Sequence, residues 1–206
     1  YGSGKSTLGL YLSMLLSTSP MERHTLKPPR SAAAFNRISK LLPAEEKPWQ
    51  ALAMVGQKTD IENSIKEKLL QLVDDKVDPN IELSELVGIA LEVTAKTHNG
   101  LILIVDEFGR HLEYASETNK SLHCLQEIAE IFARSKFPCG IICLLHQAFQ
   151  DYLPRTERQQ RQEWEKIQGR FSDIIFGLSI EESVGMIASA IDGRKAERED
   201  NLLIDE

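Results

Sequence analysis

The sequence predicts an α/β fold: a three-layer sandwich around a mostly parallel central sheet. Three observations carry that expectation. Leu101-Ile102-Leu103-Ile104-Val105 is apolar at every position and ends in Asp106-Glu107, the pattern of a strand covered on both faces, as parallel strands are. Gly140-Ile141-Ile142-Cys143-Leu144-Leu145 repeats it as another buried strand. Around these runs, apolar residues recur at helical spacing between polar and Gly/Pro breaks, the alternation of crossover units.

Taken in order, a first helix is expected from about Lys5 to Ser17, carrying Leu8, Leu10, Tyr11, Leu12 and Leu15. Residues 19–48 contain Pro20, Pro28, Pro29, Pro43 and Pro48, so they read as an excursion with a short helix near Ala32–Leu41. Ala51–Val55 reads as a strand ended by Gly56, and Asp60 caps a helix carrying Ile61, Ile65, Leu69, Leu70 and Val73. Asp78-Pro79-Asn80 breaks that helix. The next runs from about Ser84 to Thr97 and stops at Asn99-Gly100. After the Asp106-Glu107 strand, Phe108–Ala115 reads as a packed strand-to-helix connection in which Gly109 permits a tight turn. A helix around Ser121–Ser135 follows, and a charged helix spans Glu157–Ile167, with Gln159-Gln160-Arg161-Gln162 as its solvated face. A short strand Asp173–Phe176, a helix Ile180–Ile191 and a charged tail from Asp192 close the pattern. The expected division is a core over 1–178 and the beginning of a further small module or linker over 179–206, which the resemblance named below would make a helical lid.

Composition narrows the class. The 206 residues suffice for one good core, 42% are hydrophobic, and no stretch has the apolar length of a membrane span. A net charge of −7 argues against a broadly basic surface for gripping nucleic acid. Cys124, Cys139 and Cys143 lack the paired spacing of a zinc site or disulfide framework, and His123 beside Cys124 supplies no second half of one. They read as reduced thiols of a cytoplasmic protein. Trp49 and Trp164 read as packing anchors, not as stacking platforms for bases.

Two motifs carry chemistry. Gly2-Ser3-Gly4-Lys5-Ser6-Thr7 matches the end of a G-x-x-x-x-G-K-[ST] phosphate-binding loop, whose first glycine would lie two positions before Tyr1. A strand leading into that loop is therefore expected ahead of it, in a larger protein. Glycines let backbone N–H groups turn around phosphate oxygens. Lys5 is placed for the β- and γ-phosphates, and the Ser6 hydroxyl for Mg²⁺. Asp106, at the carboxyl end of a parallel strand, emerges where ligands sit and can support the metal. Glu107 is the natural base for an attacking water. Read separately, a glycine turn before a helix or an acidic pair at a helix start is ordinary structure. The two together point to nucleotide hydrolysis. His146-Gln147 lies at the tip of the following strand, where a polar side chain can orient water. Arg170, in Gln168-Gly169-Arg170-Phe171, is a candidate for reaching a γ-phosphate. The plainer readings are a solvent-facing strand end and a surface ion pair.

These motifs, with Gly169-Arg170-Phe171 leading to a strand and helix, resemble the core of AAA+ or STAND-type P-loop ATPases, of the additional-strand, catalytic-glutamate type. The resemblance implies ATP and Mg²⁺ as ligands, Arg170 as an arginine finger acting between subunits of a homo-oligomer, and Ile180–Ile191 as the first lid helix. More narrowly, Asp106-Glu107-Phe108-Gly109-Arg110-His111-Leu112-Glu113-Tyr114-Ala115, Leu145-His146-Gln147-Ala148-Phe149 and Trp164-Glu165-Lys166-Ile167-Gln168-Gly169-Arg170-Phe171 are similar to segments of bacterial phage-defence (BREX-type) and DNA-restriction ATPases. That likeness implies DNA as a partner through other domains.

Other nucleotide enzymes fit less well. No L-S-G-G-Q-like signature precedes the Asp-Glu strand, and Gln57-Lys58-Thr59-Asp60 is a distant and too early echo of a guanine-reading motif. A small-molecule kinase does not need Glu107. Two classes survive: a motor or remodeller powered by ATP, and a signalling switch in which ATP drives assembly and slow hydrolysis resets it. A domain that binds ATP without cycling is disfavoured by the intact Lys5, Asp106 and Glu107.

Overall fold

In the computed structural model, residues 4–19, 21–26, 47–73, 77–152 and 158–174 are described. They hold three strands, β1 (Gln50–Val55), β2 (Leu101–Asp106) and β3 (Cys139–Cys143), and six α-helices. These are α1 (Lys5–Ser17), α2 (Ile61–Leu70), α3 (Leu83–Thr97), α4 (Gly109–Thr118), α5 (His123–Arg134) and α6 (Arg158–Gln168). The strands form a parallel sheet in the order β1-β2-β3. Gln50 pairs with Leu101 and Val55 with Asp106; on the other side Leu101 pairs with Cys139 and Val105 with Cys143.

Alternation along β2 explains the layers, because successive side chains point to opposite faces. Leu101, Leu103 and Val105 join Leu52 in one large core with Ile61, Ile65 and Leu69 of α2, Leu86 and Val87 of α3 and Leu125 and Ile128 of α5. Ile102 and Ile104 face the other way, onto Leu16 of α1, with Trp49, Ala51 and Ile142 beside them. Helices therefore cover both faces, and the arrangement is compatible with the expected three-layer sandwich. Both crossovers, α2–α3 and α4–α5, contribute to the large core, consistent with crossovers of one hand in a sheet that grows in one direction.

Local signals act as expected at several element ends. The Asp60 carboxylate accepts the Glu62 N–H at 3.0 Å, capping α2. Trp164 is fully buried against Phe149, ring centroids 6.0 Å apart, and Trp49 packs in the smaller core, so both tryptophans are anchors. Burial pushes the Cys124 thiol up to about 12, which makes it an inert core group.

Four expectations are corrected. Phe108–Ala115 is not merely a connection: α4 begins at Gly109, and the positive-φ residue of the turn is Glu107. Gly109 is small for another reason, since a Cβ there would run into the Tyr152 ring. β3 is half-buried throughout, not buried like β2, and is an edge strand among the described residues. Gln160 is buried within the helix face expected to be solvated. Asp173 and Ile174 are not in a strand. The expected helices Ala32–Leu41 and Ile180–Ile191, Ile175-Phe176 and the tail from Asp192 lie outside the described residues. No described helix is long and apolar enough to cross a membrane.

Candidate active site

The start of α1 has a conformation its sequence demands. Gly4 sits at the N-cap with φ 75° and ψ 8°, left-handed values that glycine adopts without a Cβ penalty. Its carbonyl accepts the first helical bond, from Leu8 N–H at 2.8 Å. No side chain caps this end and no acidic residue occupies the first turn, so the helix presents its positive end unscreened by its own carboxylates. Lys5, Ser6 and Thr7 form that first turn. Gly2 and Ser3 lie outside the described residues.

The tip of β2 is equally constrained. Gly56 N–H donates to the Asp106 carbonyl at 2.7 Å as β1 ends beside it. The chain then turns through Glu107 at φ 49°, with the Glu107 N–H donating to Asp106 Oδ1 at 2.8 Å. A Cβ on Gly56 would lie 2.8 Å from the Glu107 carbonyl carbon, so only glycine permits this approach. Phe108, buried, donates its N–H to the Leu144 carbonyl at 3.0 Å and ties the turn to the chain leaving β3.

These two tips share a cavity of about 670 Å³, lined among others by Ser6, Gly9, Gln57, Thr59, Lys68 and Asp106. Ser6 and Asp106, the two residues expected at a metal, are thus brought together. Mg²⁺ is a hard ion that uses one or two protein carboxylates plus substrate phosphates. A hydroxyl and one carboxylate fit that donor set. No cluster of three or more His, Cys, Asp or Glu able to hold a metal occurs among the described residues.

The other candidates stand outside the cavity lining. The Glu107 carboxylate is held by Arg110 Nε at 2.6 Å. His146 and Gln147 are exposed and follow the end of β3 rather than forming its last residues; Gln147 is hydrogen-bonded to Tyr152. Arg170 pairs with Glu130 of α5 at 3.0 Å, and Glu130 lines a separate groove between α3 and α5. Gln126 first, then Arg170 and Arg134, hold the Glu130 carboxyl below its usual range. Sequence reasoning missed Gln57, Thr59 and Lys68 as cavity residues. The available signal was Gly56, a glycine directly after a strand at the end of a parallel sheet. No protein-family model, curated protein or solved structure matches the chain.

Proposed function

We propose that the chain is a P-loop ATPase core of the additional-strand, catalytic-glutamate type, which binds ATP with Mg²⁺ and hydrolyses it in the service of DNA-related or defence work. The observation that carries this reading is the common cavity of Ser6 and Asp106, joined at the ends of parallel strands where α/β ligands bind. Ser6 and Asp106 would hold Mg²⁺, which would supply charge neutralisation on the phosphates. Lys5 binds the phosphate oxygens, and the uncapped α1 terminus adds its dipole. Glu107 takes the proton of the attacking water, and Gln147, His146 and Arg170 are assigned to water orientation and to charge stabilisation in a homo-oligomer. Gly2, Ser3 and Thr7 complete the loop. ATP turnover that requires Mg²⁺ and rises with double-stranded DNA is the expected result of a phosphate-release assay. Failure to bind ATP would overturn the site.

A second reading, a nucleotide-dependent assembly switch of STAND type, is favoured by one contact. Arg110 occupies the Glu107 carboxylate, which suits slow basal turnover. The pair is substantially exposed, and such pairs contribute at most about 1 kcal/mol. Arg110→Ala is therefore expected to raise basal kcat by up to about fivefold. An unchanged or lower kcat would show that Arg110 does not restrain the base.

A further inference from the structure

Residues 56–60 join β1 to α2 and contribute two residues to the cavity wall, Gln57 and Thr59. Lys58, Thr59 and Asp60 are each tied to α4 or to the turn that ends it. Lys58 Nζ meets Glu117 Oε1 at 2.7 Å. The Thr59 carbonyl accepts from His111 Nδ1 at 2.8 Å. Asp60 Oδ2 lies 3.7 Å from Lys120 Nζ. At the other end, Gly56 is bound to Asp106. The loop is thus fastened to the same turn and helix that present Asp106 and Glu107.

His111 is the buried member of this set, 1% exposed. Since a carbonyl only accepts, Nδ1 carries the proton and Nε2 is a bare acceptor. Nε2 is buried with no hydrogen-bond partner among the described residues. Burial pushes the ring's proton affinity down, partly offset by the Thr59 bond and by Asp60. A side chain needed only to fill this space would be better apolar, because an unpaired buried nitrogen costs stability. The one bond that recommends histidine is the bond to Thr59.

We propose that His111 is a positioning residue of the nucleotide site: through the Thr59 carbonyl it holds the 56–60 loop as a wall against which Mg²⁺·ATP binds. This inference rests on the ATPase reading above. His111 touches no reacting group. It acts by keeping Gln57 and Thr59 in place, and it links that wall to the helix following Glu107.

The test compares His111→Leu, which keeps bulk and loses the donor, with His111→Asn, whose amide nitrogen takes the place of Nδ1. Loss of one buried hydrogen bond corresponds to about a tenfold change. In the nucleotide-free protein, H111L should speed hydrogen–deuterium exchange over 56–60 about tenfold. In the presence of Mg²⁺, H111L should raise the KM for ATP by a similar factor with little change in kcat. H111N should restore both. Unchanged exchange in H111L overturns the tie, and faster exchange with an unchanged KM overturns the role in nucleotide binding. If the unaltered protein binds no ATP while loop exchange still responds to H111L, the ATPase reading fails and takes this inference with it. Should H111L not fold, Glu117→Lys sets like charges at the exposed Lys58 contact. It should speed the same exchange and raise KM severalfold; no change in either overturns the proposal.

Discussion

Glu107→Gln is expected to bind ATP as well as the unaltered protein and to hydrolyse it about 10²–10⁴-fold more slowly, the range that general-base assistance supplies. The amide keeps the shape of the carboxylate but cannot accept a proton from water. Little else should change. The ion pair lost to Arg110 is exposed and contributes at most about 1 kcal/mol. The backbone at φ 49° is no harder for Gln than for Glu. Steady-state phosphate release and equilibrium ATP binding separate the two effects. Normal hydrolysis in the variant removes Glu107 from the reaction, and the base must then be sought elsewhere.

Lys5→Ala should act on binding itself. Charge-assisted hydrogen bonds are each worth about 1.5–3 kcal/mol, so affinity for Mg²⁺·ATP is expected to fall roughly 10- to 100-fold. The helix should tolerate the change, since Lys5 is its first residue and alanine is the best helix former. The diagnostic result is a melting temperature that holds while the titration weakens. An affinity equal to that of the unaltered protein would end the case for a phosphate loop at this helix.

β2 was readable because apolarity at five successive positions has one economical solution, a strand buried on both faces. Asp60 was readable because a capping side chain acts within its own turn. β3, half-buried and an edge among the described residues, was misjudged because Ile141 and Ile142 report strand propensity and not rank in the sheet. α4 was overlooked for a related reason. Its inward residues, His111, Leu112 and Ala115, follow a glycine that imitates a turn, while the left-handed residue is a glutamate that advertises nothing. Of the cavity residues, Ser6 and Asp106 were singled out by motifs with a fixed local grammar. Gln57 and Thr59 have no such grammar; they line the cavity because of the loop's ties to α4. The engagement of Arg170 by Glu130 likewise exists only once α5 and α6 pack together.

The left-handed backbone of Glu107 sets foldability against chemistry. Such a conformation costs a non-glycine residue on the order of 1–2 kcal/mol, and glycine or asparagine would relieve it. Selection for robustness alone would replace this side chain. A carboxylate held in so unwelcoming a torsion fits the role in hydrolysis that we propose for Glu107. The same geometry warns protein engineers: a stabilising substitution sought at this turn would remove the carboxylate to which we assign the attacking water.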